Sequence, residues 1–489
     1  MRRLPLILLA AALAASPATV AQEVSPTLTL DDAIHLALQR NKMLKVSSYG
    51  PGIARANLLV ARGAFDPNLQ FTRNYASSQF NTSNGLIPVE DLNKVDYYQG
   101  GVTGLLPIGT TYNVFVSTQE VRDPAGGIPK NFSTFGGFQV TQPLLRGFGF
   151  AANLEQVRIQ KANRSISDQA YRQSAINTVT SVIVAYSNLQ FAHDELESAE
   201  GARARANRLL SENEKKYKVG SSSQSDVIES RANAAQYEED IIIAERAVRD
   251  DQNALRELIG EDVFFENEPL FVLAPMQLPD ITIDRKSDLQ RAYTTRPDYQ
   301  IARLGLTQDH AVEAHARNAL LPEVDFQGGY GYNGSASNFS PSRQMVEDHM
   351  NPSVSAGLVV TIPFTFAVGR GTLRAARLTR SRDEEDLKRL AADIAVAVAN
   401  ADGQIETTRR RVEADKATYA LARQALDAEE KKNKAGTGST YIVVQYQQSL
   451  AIAENSISGA LAAERQAIAT YDATIGTTLE RYHVVLSHD

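Results

Sequence analysis

The residues Lys-Lys-Tyr-Lys-Val-Gly at positions 215–220 recur as Lys-Lys-Asn-Lys-Ala-Gly at positions 431–436. The same offset of 216 residues also relates the Ile-Gly pairs at 259–260 and 475–476, with no insertion between the motifs. An internal repeat of this length means that one structural unit occurs twice in the chain. The glycine in each copy marks a turn between two helical segments, so each unit is predicted to contain a helical hairpin.

Both copies lie in stretches without proline, residues 144–268 and 364–489, so long helices are permitted there. The outgoing and return helices are predicted at about 151–217, 223–259, 372–434 and 439–475. At 1.5 Å per residue, the outgoing helices span roughly 90–100 Å and the return arms roughly 55 Å. The first return arm is therefore expected to end partway back.

The composition is that of a folded protein, with 43% hydrophobic and 22% charged residues among 489. The net charge of −7 gives no basic footprint for nucleic acid, so no nucleic-acid partner is predicted. The chain contains no cysteine, which excludes disulfides, thiolate metal sites, cysteine nucleophiles and lipidation on an N-terminal cysteine.

The first 21 residues have the pattern of a secretory signal peptide. Basic residues at positions 2 and 3 precede an apolar run, and small residues follow before a cut after Ala18 or Ala21. The alternative interpretation is a buried N-terminal helix. We therefore expect an exported protein.

A helix capped by Thr29 or Asp31 opens the mature sequence, and Gly50-Pro51-Gly52 is expected to interrupt or kink it before it resumes to about Arg62. Strands are predicted at about 68–80, 96–106, 110–119 and 132–142, and in the second repeat at about 324–333 and 353–362 around a polar loop at 334–351. The alternation of apolar and polar residues fits a half-exposed soluble sheet or an outer-membrane barrel. The export signal and the flanking aromatic residues favour the barrel.

These signals divide the chain into nine segments. They are a signal peptide (1–21), an N-terminal helical segment (22–64), a first strand block (65–145), a first long hairpin (146–261), an irregular linker (262–287), a helix that opens the second repeat (288–320), a second strand block (321–363), a second long hairpin (364–477) and a C-terminal tail (478–489).

No residue pattern indicates catalysis, so the chain is not predicted to be an enzyme, and no cofactor or metal is predicted. His310 and His315 are five residues apart and off one helix face. The glycine-rich segment at 436–440 lacks the lysine of a phosphate-binding loop, and the one at 328–331 lies inside a strand pattern. An arginine cluster at 370–382 is interpreted either as a solvated helix face paired with the acids at 383–386, or as a cationic ring at the mouth of a barrel.

The chain resembles the TolC-type outer-membrane efflux protein family over about residues 28–480. The resemblance is carried by the motifs Leu-Thr-Leu-Asp-Asp-Ala-Ile at 28–34, Phe-Asp-Pro at 65–67, Val-Thr-Gln-Pro-Leu-Leu-Arg-Gly-Phe-Gly at 140–149, and the hairpin tip at 217–227 with its duplicate.

The resemblance implies a mainly α protein with β structure. Its duplicated hairpins would form a trimeric α-helical periplasmic tunnel joined to a shared outer-membrane β-barrel. The homotrimer would lie in the outer membrane of a Gram-negative bacterium, in contact with its lipid, and extend into the periplasm. It would be a passive exit duct of a tripartite efflux or type I secretion system, gated at its helical tips. A periplasmic adaptor and an inner-membrane pump would open it.

The resemblance also implies roles for tip residues. The tips that meet the adaptor correspond to Val219, Gly220, Ser221, Ala435, Gly436 and Thr437. The gate and selectivity positions correspond to Ser225, Asp226, Glu229, Tyr441, Ile442 and Gln445.

The second tip departs from the family pattern. Asn433 and Gly438 stand where the family often has tyrosine and arginine, and Ile442 and Gln445 stand where it has acids. The gate is therefore expected either to use the acids Asp226 and Glu229 of the first tip or to close hydrophobically at Tyr441 and Ile442.

Three alternatives remain open from the sequence. With four strands in the first repeat and two in the second, a trimer has eighteen strands, against the usual twelve of the family, unless the hairpin around residues 107–109 folds outside the barrel. A periplasmic coiled-coil adaptor without a pore is the main alternative function, but adaptors normally carry one helical hairpin. A secreted enzyme with helical arms is the third.

Overall fold

The computed structural model describes residues 27–83, 88–123, 128–260, 273–275, 278–279 and 281–486. It consists of one antiparallel sheet and a bundle of long helices below it. The predicted signal peptide lies outside the described residues, as does most of the predicted linker.

In chain order the elements are α1 (Leu30–Arg40), α2 (Lys42–Gly63), β1 (Asn68–Ser83), β2 (Pro88–Leu105), β3 (Thr111–Asp123), β4 (Ile128–Pro143), α3 (Phe150–Asn153), α4 (Glu155–Lys218), α5 (Gln224–Ile259), α6 (Arg285–Thr295), α7 (Pro297–Asn318), β5 (Glu323–Ala336), α8 (Phe339–Glu347), β6 (Pro352–Thr361), α9 (Ala367–Lys434), α10 (Thr440–Ile475) and α11 (Thr478–Arg481).

The two predicted hairpins are present. Helix α4 has 64 residues and α9 has 68, so each is roughly 100 Å long. Each packs against its own return arm, α5 or α10, and α10 also packs against α4 to join the hairpins. Among the described residues, no helix has both the length and the apolar content needed to cross a membrane.

The return arm α5 ends partway along α4, as predicted, and α2 lies against the remaining length of α4. The break between α1 and α2 lies at Asn41, whose side-chain amide donates to Leu258 O at the end of α5 over 2.9 Å. The Asn41 side chain also accepts from Leu44 N, which caps α2. The predicted interruption at residues 50–52 was therefore wrong. Pro51 lies inside α2 and is buried. The break lies earlier, at Asn41, where the end of α5 meets the chain.

The second repeat is built in the same way. Helices α6 and α7 are separated at Arg296, whose guanidinium donates to Thr474 O near the end of α10 over 2.9 Å. Pro297 occupies the first turn of α7, where its missing N–H costs no hydrogen bond. Each return arm thus meets the junction between two shorter helices.

The largest core lies where α1, α4, α5 and α11 meet. Its fully buried residues include Ile34, Ile176, Ile183 and Leu255. Burying each such side chain contributes about 1.5–3 kcal/mol. The Tyr186 hydroxyl lies in this core, 2.9 Å from Leu28 O and 2.8 Å from Ala274 O, and burial raises its pKa. This core ties the N-terminal segment to the first hairpin.

All six strands form one antiparallel sheet in the order β1-β2-β3-β4-β5-β6. Strands β2 and β3 are paired along the sheet, from the pair Leu105 with Thr111 to the pair Lys94 with Arg122. The hairpin that turns at residues 106–110 is therefore part of the sheet. The alternative in which that hairpin folds elsewhere is wrong for a single chain. Strands β4 and β5 join the two repeats.

The sheet has one apolar and one polar face. The register places on one face the residues Leu69, Phe71, Val102, Val114, Val116, Phe138, Phe326, Val354 and Leu358. The opposite face carries Gln70, Thr72, Gln99, Ser117, Gln139, Gln327, Asn333 and Ser355. This division is that of a strand block with lipid on one side and water on the other.

The predicted polar loop at 334–351 instead contains the helix α8, which packs on the apolar face of β4 and β5. Ser342 Oγ is fully buried and lies 2.8 Å from Thr134 Oγ1. A Cβ atom at Gly334 would collide with the carbonyl oxygen of Ser342, so glycine lets the helix approach the strand. The loop prediction was wrong because tertiary packing stabilises a short segment of polar composition.

The arginine cluster has a buried partner that the sequence did not reveal. Glu313 of α7 is 3% exposed and binds Arg317 at 2.7 Å, Arg377 at 3.3 Å and Arg380 at 2.6 Å. The hydrogen bond from Arg317 contributes most to lowering the pKa of Glu313 to about 2, with further lowering by Arg380 and Arg377, and together they outweigh burial, which raises it. Arg380 also pairs with Glu384, so only part of the cluster matches the interpretation of a solvated face.

We predict that Glu313→Gln destabilises the protein by about 1–3 kcal/mol, because a buried neutral amide cannot replace the charge-assisted hydrogen bonds that the carboxylate accepts from the three arginines. Since the folded-state pKa lies below the ordinary value of 4.5, the ionised carboxylate stabilises the fold above that pH. This stabilisation is lost as the pH falls from about 4.5 towards 2. Urea unfolding of the detergent-solubilised protein at pH 7 and pH 3 measures both effects.

The matched control is Glu384→Gln, since Glu384 is far more accessible to solvent than Glu313 and pairs with the same Arg380. It should change the unfolding free energy by less than about 1 kcal/mol. Equal effects of the two substitutions would contradict the assignment of Glu313 as the central partner.

Candidate functional site: the hairpin tips

The turn of the first hairpin is short and fully exposed. Gly220 has a φ of +75°, which glycine adopts without strain, and its N–H donates to Tyr217 O over 3.0 Å. Ser221 N donates to Lys216 O over 2.8 Å, which completes a glycine-based helix end. The predicted adaptor contacts Val219, Gly220 and Ser221 are all exposed, and Val219 shows 77% of its surface.

The turn of the second hairpin has the same geometry. Gly436 has a φ of +79°, and the N–H groups of Thr437 and Gly438 both lie 3.1 Å from Lys432 O. Ala435, Gly436 and Thr437 are exposed. Both tips therefore present small, polar, backbone-rich surfaces at the same end of the bundle.

Asp226 lies in the first turn of the return helix α5 and forms a capping box with Ser223. Its carboxylate accepts from Ser223 N, from Ser223 Oγ and from Ser222 Oγ over 2.7–3.0 Å. The Ser223 hydroxyl contributes most to lowering the pKa of Asp226, and a hydrogen bond from Thr440 of the second tip lowers it further. These contacts favour the ionised form of Asp226, which lies beside Thr440 of the second tip.

The other predicted gate residues lie on outward surfaces. Ser225 is exposed, and Glu229 is half-buried, with a pKa raised first by burial and then by the charge of Asp226. Tyr441 is 58% exposed and Ile442 37% exposed, and Gln445 is exposed on the same helix. Within the part of the chain that the structure describes, no side-chain hydrogen bond joins these three residues to the first tip. One chain thus brings Asp226, but not Tyr441, Ile442 or Gln445, into contact between the tips.

A polar cluster between the hairpins was not predicted. We call it the polar seam and define it by four hydrogen bonds that three donor side chains make. Asn213 Nδ2 donates to Ser230 Oγ at 2.7 Å and lies 3.3 Å from Thr440 Oγ1. Lys216 Nζ donates to Asn433 Oδ1 at 2.8 Å, and Asn233 Nδ2 donates to Gln447 Oε1 at 3.2 Å. All of its members except Lys216 are buried.

The polar seam fixes the register of one hairpin against the other. A buried hydrogen bond contributes about 1 kcal/mol net, but removing one partner costs about 1–3 kcal/mol. Asn433, at the position where the resemblance implied a tyrosine, links the hairpins by accepting a hydrogen bond from the ammonium of Lys216. The sequence signal was a polar residue at a position that the helical period assigns to the core, but its partner lies 217 positions away.

The contact between α4 and α10 continues above the polar seam through charged and amide side chains. Arg205 and Glu454 form an ion pair at 2.9 Å, and both are largely buried. Further up, Arg465 Nη1 donates to Gln190 Oε1 over 2.8 Å. The two hairpins are therefore joined by specific polar contacts along much of their length.

We predict that Asn213→Ala loosens the tips, since Ser230 and Thr440 lose their shared donor. Amide hydrogen exchange at residues 224–233 and 440–447 should accelerate by about fivefold to 100-fold, which corresponds to about 1–3 kcal/mol. Gln445→Ala, on the exposed side of α10, is the control and should leave both segments unchanged. Unaltered exchange in Asn213→Ala would show that the polar seam does not hold the tips.

The chain has two long helical hairpins, one in each repeat, below a sheet with one apolar and one polar face. This combination defines the class of outer-membrane channel proteins. The chain belongs to the outer membrane efflux protein family, whose sequence model matches residues 33–261 and 289–477. The predicted family is confirmed. The chain is an outer-membrane efflux protein that extends into the periplasm, so the adaptor alternative is set aside.

Named relatives agree with this assignment. The chain is 22% identical over 325 residues to the outer membrane protein TolC of Vibrio cholerae, which covers 65% of this chain and 73% of that protein. It is 26% identical over 276 residues to the pyoverdine export outer membrane protein OpmQ of Pseudomonas putida, covering 55% and 56% respectively.

The fold is similar to the solved structure of the outer-membrane channel OprN, with a TM-score of 0.69 at 16% identity. The match covers 91% of this chain and 89% of that one. This likeness confirms the predicted fold class, a helical tunnel joined to an outer-membrane β-barrel. The sheet of a single chain is open at both edges.

Proposed function

We propose that this protein works as a homotrimeric, passive exit duct of a tripartite efflux or type I secretion system. A periplasmic adaptor docks on its tips, and an inner-membrane pump supplies the energy. The observation that carries this proposal is the pair of exposed tips joined by a polar seam, at the end of the bundle furthest from the sheet. Hydrogen bonds between neutral groups and one ammonium hold such tips together without a deep energy minimum, which suits a closure that a partner reverses.

The homotrimer is supported by apolar surface that one chain leaves uncovered. Helix α2 exposes Met43, Val46, Ile53 and Val60 at three- and seven-residue steps, each by at least 60%. This spacing is that of a helix–helix contact, and an apolar stripe of this kind marks an interaction surface. The free edges of β1 and β6 also require partners in lipid, which other copies of the chain supply.

The gate in this proposal lies at the first hairpin tip. Three copies of Asp226, kept ionised by their capping hydroxyls, form an acidic ring that favours cations at a narrow mouth. Glu229 adds charge one turn further along α5. The exposed side chains Tyr441 and Ile442 alternate with these acids around the ring and supply the apolar part of the closure. Catalysis has no role in this scheme.

Adaptor docking is assigned to the two turns, at Val219, Gly220, Ser221, Ala435, Gly436 and Thr437. Their small side chains and exposed backbone groups allow a helical hairpin of a partner to approach closely.

Planar-bilayer recordings test the gate. We expect Asn213→Ala combined with Lys216→Ala to raise the fraction of open channels at least about tenfold. Losing about 1 kcal/mol per hydrogen bond in each of three copies exceeds the about 1.4 kcal/mol that a tenfold shift requires. The matched control is Lys215→Ala, which removes the neighbouring exposed lysine and should leave the channel closed. Folded protein without any channel activity would refute the duct, whereas open channels unaffected by the double variant would relocate the gate.

Cysteine cross-linking tests the trimer and its strand count, because the native chain has no cysteine. At the end of the sheet nearest the helices, the terminal residues of two neighbouring strands either pair directly or are displaced by two residues along the strand. Extending this rule to β6 and the β1 strand of another copy places Ser355 opposite Asn74 or Ala76. We expect Ser355→Cys with one of these two cysteines to give covalent trimers, and hence a barrel of eighteen strands.

Ser355→Cys with Gln70→Cys is the control, since Gln70 lies on the same face of β1 but out of register. If neither predicted pair cross-links in an intact trimer, the two edges do not meet and the eighteen-strand barrel is wrong.

A further inference from the structure

The apolar face of the sheet carries a cleft that transport does not use. It has a volume of about 760 Å³ and lies beside α8. Its floor is formed by Gly100, Val116 and Thr118, and its walls include Phe71 and Phe339. A Cβ atom at Gly100 would lie 3.1 Å from the Phe71 ring, so the glycine leaves the floor open.

Helix α8 makes the far wall of the cleft rigid. Ser342 binds Thr134, and a Cβ atom at Gly136 would lie 2.8 Å from Val346, so the helix is seated directly on the strands. Phe339, in the first turn of α8, packs against Phe132 of β4 in a tilted arrangement, with ring centroids 6.3 Å apart. The cleft is therefore bounded by aromatic side chains on both sides. Its volume and its largely apolar lining suit hydrocarbon chains.

A cluster of charges lies at the end of the cleft that points away from the helices. Arg73 pairs with Asp96 at 3.0 Å, and Glu120 pairs with Arg122 at 2.6 Å and with Lys130 at 3.5 Å. Lys94 is the cross-strand neighbour of Arg122. Among the side chains that the structure describes at this end, four cations lie beside two acids, an excess of two positive charges.

Aromatic rings hold two of these cations at the rim. The Arg73 guanidinium lies 5.2 Å from the Tyr98 ring centroid, and Lys130 Nζ lies 4.7 Å from that of Phe132. Arg73 is 63% and Arg122 50% exposed, so both remain available to a ligand. The arrangement joins an apolar cleft to a cationic rim within a few residues.

The height of the rim matches the outer surface of a membrane. On β2, Asp96 and Lys94 precede the helix-side end at Leu105 by nine and eleven residues. A tilted strand of about 9–11 residues crosses the hydrocarbon core. Because the helices extend into the periplasm, the opposite end of the strands lies in the outer leaflet, and the cationic cluster lies at its headgroup level.

We propose that this cleft is a binding site for a phosphorylated, multiply acylated glycolipid of the outer leaflet. Acyl chains occupy the groove between Phe71 and Phe339. Headgroup phosphates pair with Arg122 and Lys130, for which charge-assisted hydrogen bonds are strong. The site binds one lipid per subunit and anchors α8 at the membrane surface.

Native mass spectrometry of the detergent-solubilised full-length protein with added bisphosphorylated lipid A tests the proposal. We expect saturable binding, and at least about tenfold weaker binding in Val116→Phe, which fills the floor of the cleft. The matched control is Val114→Phe, on the same face of β3 but outside the cleft, which should bind as the wild type does.

The headgroup is tested with Arg122→Gln combined with Lys130→Gln, against both bisphosphorylated and dephosphorylated lipid A. The double variant should lose affinity for the first probe by at least about tenfold and keep its affinity for the second. Equal binding of both probes by the wild type, equal effects of the two phenylalanine variants, or equally tight binding of phosphatidylglycerol would each overturn the proposal. Channel recordings are independent of this measurement, so a failed duct and a failed lipid site are distinguishable.

Discussion

The structure depends on how the ends of the return helices are satisfied. A helix leaves its last carbonyl groups without intrahelical partners, and in a long bundle those groups lie against neighbouring helices where water has little access. Here Asn41 donates to the end of α5, and Arg296 donates to the end of α10. Each donor also marks the break between two shorter helices. In each repeat, this residue lets the return arm and a shorter helix lie end to end along one helix of more than sixty residues. These are α5 and α2 along α4, and α10 and α7 along α9.

The long hairpins could be predicted to within a few residues because their signals are local. Proline is absent, glycine stands at each turn, and the two copies confirm each other. The break at Asn41 could not be predicted, since an asparagine becomes a helix boundary here only when the end of α5 lies beside it. Helix α8 was missed for a related reason. Its sequence is polar, and its position depends on Gly334 and Thr134, which approach it from other strands.

The candidate site likewise has a part that the local sequence predicts and a part that depends on contacts between distant residues. The exposed turns and Asp226 follow from the repeat motif and the family resemblance, because their positions are fixed by the sequence around them. The polar seam depends on which residues face each other across two hairpins that are more than two hundred positions apart. The position where a tyrosine was missing is occupied by Asn433, and Lys216 reaches it across that gap. Examining single positions along the sequence cannot reveal this contact, because it requires knowing which residues of the two hairpins face each other.

The duplication has a consequence for symmetry. Position 226 carries aspartate and its repeat equivalent, position 442, carries isoleucine, although the backbones of the two tips are alike. In a trimer the six hairpins therefore form a ring that is sixfold in shape but only threefold in chemistry, with acidic and aliphatic tips in alternation. A partner made of six identical subunits would meet two inequivalent surfaces and could not engage all six in the same way.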